Sequence, residues 1–554
     1  MDETTFHIRI KVAVEDSPKV SLFYRHKYRW DRNEYALMEH ECKDDQFNYY
    51  SVSIPYIESL TYYFILEDEM DKVYYTQWGI KYELDNQNDH LYFFQYPYIH
   101  KESIHFVPGW VKESVFYQIF TDRFYRKSSR NDSQRLKEWN SKPDWDSFYG
   151  GDLEGVIDKI DYLKDLGING IYLTPIFMAP SNYKYDTIDY FTVDPCFGDL
   201  DILKKLVDKC HENNIRVILD GVFNHCSYRS NQFQDVIKHG KSSKFFDWFY
   251  VKDIPINSQN PNYETFSTLR DMPKLNTENE TVREYLLSIV KYWIKEVDID
   301  GWRLDVADEL SPSFLKELRR TVKACKKDAY ILGESWYDAN SWLLGEQEDA
   351  VMNYQLLQLC VDHFALNKIS ATDFMQQMCK VTMCYTRQVN EVNFNLIESH
   401  DTARFMTLCE GNTKKLMLAA TLLLTFVGTP CIYYGMEVGI EGGEDPDCRR
   451  TFNWDNSSWN SELFQYIKKL IHIRKEHDAL QKGDIRWVEN GNNVVIYERV
   501  LPSQKIIVIL NNCQEAATVA LENEASTYTE MITGNRYQDC IQVEEYGAKL
   551  LICQ

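Results

Sequence analysis

From residue 111 to about 475, short apolar runs alternate with amphipathic stretches, and the alternation occurs eight times. The runs are VFYQIF (115–120), INGIYLT (168–174), IRVILDGVF (215–223), IDGWRLDVA (299–307), AYILGES (329–335), AVMNY (350–354), VNFNLIES (392–399) and PCIYYG (430–435). Continuous apolar strands of this kind suit a parallel sheet covered on both faces. The segments between them, such as LEGVIDKIDYLKDLG (153–167) and DILKKLVDKCHENN (201–214), carry helical periodicity. Eight β-then-α units predict a closed (β/α)8 TIM barrel, an α/β fold. The stretch 224–275 is too long for a plain βα loop and reads as a small inserted domain after strand 3.

Residues 1–110 have a different pattern. HIRIKVAV, KVSLFYRH, YYSVSIP and LTYYFILED alternate apolar and polar positions over short runs, which predicts an N-terminal β-sandwich. Pro108-Gly109-Trp110 marks its end. Short strands return near residue 480 (NVVIYERV, KIIVILNN, ATVALE) and predict a C-terminal β-sandwich over 476–554. The barrel domain is then 111–475, including the insertion.

Net charge is −23, which disfavours nucleic acid and anionic membranes as partners and suits a neutral substrate. The apolar run 417–434 is interrupted by Gly428 and Pro430, so it reads as helix, turn and strand and not as a membrane span. The N-terminus lacks a basic and then apolar signal pattern, and the 14 cysteines include no CxxC pair. Buried, reduced thiols and a cytoplasmic location are the expectation.

In a barrel, chemistry sits at the C-terminal ends of the strands. Strand 3 ends in Asp220, Asn224 and His225. Strand 4 ends in Arg303 and Asp305, strand 5 in Glu334, and strand 7 in His400 and Asp401. One acidic strand end means little, whereas four interleaved with His, Asn and Arg point to a site. Glycoside cleavage passes through an oxocarbenium-like state and uses one carboxylate as nucleophile and one carboxylic acid as proton donor. A third anion stabilises developing positive charge. Arg303 and Asp305 point to the same side of their strand, so the guanidinium is expected to lower the Asp305 pKa. Carboxylate crowding is expected to keep Glu334 protonated. A barrel salt bridge is the plainer reading of Arg303 and Asp305.

The segments DGVFNH (220–225), GWRLDVADE (301–309), GESW (333–336) and ESHDTARF (398–405) resemble the four signature regions of glycoside hydrolase family 13, the α-amylase superfamily. MPKLN (272–276) resembles a fifth region, typical of its neopullulanase, cyclomaltodextrinase and maltogenic amylase subfamily. The likeness extends through YKYDTIDYFTVDPCFGDL (183–200), GTPCIYYGMEVGI (428–440) and DPDCRR (445–450). It implies Asp305 as nucleophile, Glu334 as general acid/base and Asp401 as transition-state stabiliser. Arg303 would orient the nucleophile. His225 and His400 would hold sugar hydroxyls above the aromatic platform of Tyr185, with Asp220 and Asn224 as organising neighbours. Asp445 and Arg449 would contact the next sugar, and Trp336 would lie near the leaving group. Read alone, Tyr185 and Trp336 are core aromatics, the histidines are structural, and Asp445–Arg449 is a surface ion pair.

Three positions depart from the pattern: Tyr183 stands where His is usual, Ser335 where an apolar residue is commoner, and Gly221 where Ala is. After strand 1, related enzymes often carry a calcium loop. Here Asn131, Asp132, Gly151 and Asp152 offer oxygens, diluted by Lys and Arg, and calcium wants six to eight. No cofactor is expected to be required, with Ca2+ as the one candidate. The resemblance also implies a carbohydrate-binding-module-like N-terminal domain, a homodimer, and cyclomaltodextrins, maltooligosaccharides, pullulan or starch as substrates, with some transglycosylation. The competing readings are an α-1,6-acting or α-glucosidase-type member of the superfamily, and a non-catalytic carbohydrate-binding relative.

Overall fold

A computed structural model describes residues 4–69, 71–96, 104–131, 136–489, 493–521 and 527–553. Each of the eight anticipated runs supplies a parallel strand: β1 (Phe116–Ile119), β2 (Gly170–Leu173), β3 (Arg216–Gly221), β4 (Gly301–Leu304), β5 (Tyr330–Gly333), β6 (Ala350–Val351), β7 (Phe394–Asn395) and β8 (Thr429–Tyr433). Their order is β6-β5-β4-β3-β2-β1-β8-β7. A parallel bridge between Met352 and Phe394 joins the two edges, so the sheet closes on itself. Closure removes the unpaired edges that an open sheet would expose.

The helices cover the outside by burying one stripe each. In Glu280–Val297 the buried residues are Val282, Leu286, Ile289, Val290, Trp293, Ile294 and Val297, a 3.6-residue spacing. Each large apolar side chain removed from water contributes roughly 1.5–3 kcal/mol. The Asn279 side chain accepts from Thr281 and Val282 at the N-terminus, and Asp298 ends the helix in the left-handed conformation. The stretch 153–167 forms two helices, Leu153–Asp158 and Ile160–Leu166, broken at Lys159. The apolar run 417–434 is a buried helix, Thr413–Thr425, followed by β8. Among the described residues no helix is long and apolar enough to cross a membrane.

The N-terminal region packs a three-stranded sheet against a six-stranded one around Phe6, Leu22, Tyr50, Ile54 and Phe64. The C-terminal region likewise packs a six-stranded sheet with a two-stranded one around Ile496, Ile509, Val519 and Ile541. The insertion holds the helix Asn231–His239 and returns through the bridges Phe249↔Leu275 and His225↔Lys274, which set its base beside the end of β3.

The cysteine expectation needs correction. Cys42, on the N-terminal strand Glu39–Lys43, is disulfide-bonded to Cys379 on the barrel helix Ala371–Cys384, with Cα atoms 6.3 Å apart. Cys384, Cys540 and Cys553 are exposed. The bonded pair belongs to two domains, so no spacing within either one announces it.

Candidate active site

Parallel register brings the first charged groups together. Asp220 on β3 is the lateral neighbour of Arg303 on β4, so both side chains rise on the same side of the barrel wall. The Arg303 guanidinium is fully buried; Nη1 donates to Asp220 Oδ1 (2.9 Å) and Asp305 Oδ1 (2.8 Å), and Nη2 forms an ion pair with Glu334 Oε2 (2.9 Å). Three carboxyl groups thus share one cation.

Their protonation is set by burial as much as by Arg303. Burial lifts the Asp220 carboxyl to about 6, with Arg303 pulling it back. Burial also raises Asp305 well above the usual carboxylate range; Arg303 opposes this, while the nearby Glu334 and Asp220 charges add to it. The expectation that Arg303 would leave Asp305 with a lowered pKa is therefore corrected, because burial of the carboxyl, with Glu334 and Asp220 beside it, outweighs the guanidinium.

Asp305 Oδ1 faces Arg303, while Asp305 Oδ2 is buried without a hydrogen-bond partner. His225 Nε2 lies 4.0 Å from that oxygen. Burial holds the His225 ring neutral, its pKa pushed down to about 3, and it stacks on Phe266 at 4.8 Å. Both His225 ring nitrogens and Asn224 Oδ1 are likewise buried and unpartnered. Asn224 Nδ2 reaches Glu309 Oε2 at 3.3 Å. Orphaned polar atoms around one carboxylate oxygen mark where a hydroxylated ligand would satisfy them.

Glu334 is held from three sides. Its Oε2 meets Arg303 and accepts the Val306 N–H at 3.0 Å, and the Trp336 indole donates to Oε1 at 3.2 Å. Val306 delivers its N–H from the left-handed region (φ 46°). That conformation is strained for a β-branched residue, by about 1–3 kcal/mol, and such strain concentrates at working sites. Trp336 lies flat on Tyr354, with ring centroids 3.9 Å apart.

Opposite stands the Tyr185–His400–Asp401 group. The Tyr185 and His400 rings are parallel at 5.5 Å, and Tyr185 Oη lies 2.5 Å from His400 Nε2 and donates to Asp220 Oδ2 at 3.0 Å. Gln118 of β1 donates to His400 Nδ1 at 2.7 Å, which fixes the ring proton on Nε2. Burial, with Arg449 and Arg303 nearby, keeps the ring neutral. His400 Nε2 is 3.2 Å from Asp401 Oδ2. Arg449 bonds Asp401 Oδ1 (3.1 Å) and Asp445 Oδ2 (2.7 Å), and it is itself buried, so Asp445–Arg449 is tied into the site and is no surface pair. Tyr183 extends the platform, its ring 6.4 Å from Tyr185.

All twelve proposed catalytic and sugar-contacting residues thus gather at one barrel mouth. Three contributors lie outside the signature segments, namely Gln118, Tyr172 (which donates to Asp220 Oδ2 at 2.5 Å) and Phe266; a fourth, Val306, lies within GWRLDVADE but was given no role there. A polar residue inside an apolar strand was the available clue for Gln118.

The calcium candidates lie apart from this group, and the described ones do not fit a cation. Asp152 Oδ1 caps a helix through Gly155 N–H (2.7 Å), and Oδ2 accepts from Ser128 N–H (2.9 Å) and Oγ–H (2.6 Å). The Asn131 amide donates to the Cys196 carbonyl at 2.9 Å, and Arg130 bonds Ser128 Oγ at 2.8 Å. Gly151 is wedged so that a Cβ would meet the Thr121 carbonyl at 2.2 Å. N–H and O–H donors already fill the Asp152 carboxylate that calcium would need. Asp132 lies outside the described residues. Among the described residues no group of three or more His, Cys, Asp or Glu is placed to hold a metal.

Comparison with known proteins agrees with this geometry. Residues 118–483 match the family described as alpha amylase, catalytic domain, and residues 1–100 match the alpha amylase, N-terminal ig-like domain. A cyclomaltodextrinase of Thermoanaerobacter pseudethanolicus (strain ATCC 33223 / 39E) is 46% identical over 94% of this chain and 91% of its own length. One from Geobacillus thermopakistaniensis (strain MAS1) is 42% identical over 99% and 95%. A solved cyclomaltodextrinase structure superposes with a TM-score of 0.95 at 40% identity, covering 100% of this chain and 97% of that one.

Proposed function

We propose, from the premise that this chain belongs to the α-amylase family of glycoside hydrolases, that it cleaves α-1,4-glucosidic bonds with retention in cyclomaltodextrins and maltooligosaccharides. Pullulan and starch are further candidate substrates, and sugar hydroxyls can intercept the intermediate in transglycosylation. The supporting observation is the Arg303-centred group: Asp220, Asp305 and Glu334 on one guanidinium, with one oxygen of Asp305 unpaired.

In this reading Asp305 Oδ2 attacks the anomeric carbon, and Glu334 protonates the departing glycosidic oxygen. Glu334, now ionised, takes a proton from water, which releases the sugar from Asp305 with a second inversion. Asp401, braced by Arg449, faces the positive charge of the transition state. Tyr185 and His400 form the sugar platform, and the neutral His225 ring is free to hydrogen-bond a hydroxyl. None of these steps is routed through a metal or cofactor.

A homodimer is proposed through the N-terminal sandwich, supported by its exposed Tyr28, Trp78, Ile80 and Tyr82. A cytoplasmic location is supported by the name of a relative, the intracellular maltogenic amylase of Bacillus subtilis (strain 168), 38% identical over 94% of this chain and 90% of its own length.

The test is Asp305→Asn assayed on β-cyclodextrin with the anomer of the product resolved. The wild type should release α-anomers and the variant should release none while still binding the sugar. Unchanged turnover in the variant, or β-anomers from the wild type, would refute the assignment.

A further inference from the structure

Side chains alternate along a strand, so at the end of β5 Glu334 points into the barrel mouth and a side chain on Gly333 would point out. A Cβ placed on Gly333 would lie 2.0 Å from Glu348 Oε2, 2.3 Å from its Cδ and 2.7 Å from its Oε1. The Glu348 carboxyl therefore lies broadside against the Cα that precedes Glu334. The residue is 1% exposed, and both carboxyl oxygens are buried without a hydrogen-bond partner. A buried polar group left unpaired is costly, and each one calls for a reason.

The next residue enforces this position. Asp349 Oδ2 accepts the Ile331 N–H at 2.9 Å, and the Asp349 N–H donates to the Ile331 carbonyl at 2.9 Å, which clamps the segment onto β5. Arg319 and Lys323 each hold the Asp349 carboxylate at 2.7 Å, so their charges serve Asp349. The Glu348 carbonyl lies 3.1 Å from His105 Nε2, on the link between sandwich and barrel. Burial keeps that ring neutral, its pKa pushed down to about 4. Burial also raises the Glu348 carboxyl well above its ordinary range, and the charges of Asp308 and Asp349 add to this. The groups that hold the Glu334 carboxyl lie within the mouth: Arg303, the Val306 N–H and the Trp336 indole. Glu348 backs the same strand end from outside.

We propose that Glu348 is a positioning residue for the general acid: packed against Gly333 from outside the barrel, its carboxyl fixes the end of β5 and with it the direction in which Glu334 presents its proton to the departing oxygen. The role depends on the shape of the group, because no polar contact is made. The proposal rests on the hydrolase reading above and adds to it a residue that touches no substrate.

The experiment compares two substrates that differ in their need for that proton. Maltotriose must have its departing sugar oxygen protonated, whereas α-maltosyl fluoride loses fluoride, a weak base that leaves with little help. The variants are Glu348→Asp, which draws the carboxyl back from Gly333 by one methylene, Glu348→Ala, which removes it, and Glu348→Gln, which keeps its shape. Each is confirmed folded at the assay temperature by its thermal midpoint. We expect kcat/KM on maltotriose to fall about tenfold or more in the Asp and Ala variants, with the fluoride within about threefold of wild type. Glu348→Gln should stay within about threefold on both substrates. Equal losses on the two substrates, wild-type turnover of maltotriose in the Asp and Ala variants, or a Gln variant as impaired as the Ala variant would overturn the positioning role. Failure of the wild type to cleave either substrate would instead overturn the hydrolase reading.

Discussion

Replacing Gln118 by Leu tests whether a barrel-floor amide governs the sugar platform. His400 is buried and neutral, so it carries one ring proton, and the Gln118 amide at 2.7 Å from Nδ1 places that proton on Nε2. From there it faces Tyr185 Oη and Asp401 Oδ2. Leucine fills much of the same volume but donates nothing. Nδ1 becomes a buried acceptor without a partner, at a cost of about 1–3 kcal/mol, and the two tautomers approach equal stability. If that energy is lost from the transition state, kcat/KM falls by roughly 5- to 150-fold, at 1.36 kcal/mol per factor of ten. The assay is kcat/KM on maltotriose and β-cyclodextrin, with the thermal midpoint followed to separate misfolding from mispositioning. Turnover within about twofold of wild type in a folded variant would refute the reasoning, since the tautomer would then not matter.

Other predictions concern the same neighbourhood. Gly333→Ala would push a Cβ to 2.0 Å from Glu348 Oε2 and should destabilise the protein by about 1–3 kcal/mol or more, read as a lower thermal midpoint. Because burial raises Asp305, the ascending limb of the kcat/KM–pH profile should lie above the pH 4 region of an ordinary aspartate; a limb at or below 4 would contradict the raised Asp305 carboxyl. Asp220 sits at about 6 in the folded protein against an ordinary 3.8, so its contribution to stability is full below 3.8 and is lost as pH rises through 6. Asp220→Asn should therefore flatten the fall in thermal midpoint between pH 4 and 7, and parallel curves for variant and wild type would count against it.

Much of this site could be read from the chain. Barrel strands are apolar throughout because both faces are covered, so the eight runs stood out, and the acids that close them became visible as strand ends. What escaped reading depends on approach in space. Gln118 and Tyr172 are single polar residues in apolar strands, and nothing local says that His400 and Asp220 wait opposite. The left-handed turn at Val306 is imposed by the Glu334 carboxylate it serves, against the preference of its side chain. The spacing of Arg303 and Asp305 announced attraction, but burial and two further carboxylates, which outweigh it, lie on other strands. The segment 126–152 offered oxygens for calcium, and only its folded form reveals that Asp152 spends its own on N–H and O–H donors.

The bond between Cys42 and Cys379 turns 338 consecutive residues into a covalent ring that includes most of the barrel. Chain-entropy estimates for a ring of that size give roughly 5–6 kcal/mol of stabilisation, drawn from the unfolded chain. A protease that cuts once anywhere inside the ring would produce no separable fragment: the two pieces would migrate apart on a denaturing gel only after a thiol reductant had been added. In a compartment that keeps thiols reduced, that tether is absent and the contact between sandwich and barrel is held by packing and by polar ties such as Asp45–Lys380 and the Arg9 bond to the Tyr385 carbonyl. The redox state of the surroundings would then decide whether the two domains are joined twice, by the chain and by the disulfide, or by the chain alone.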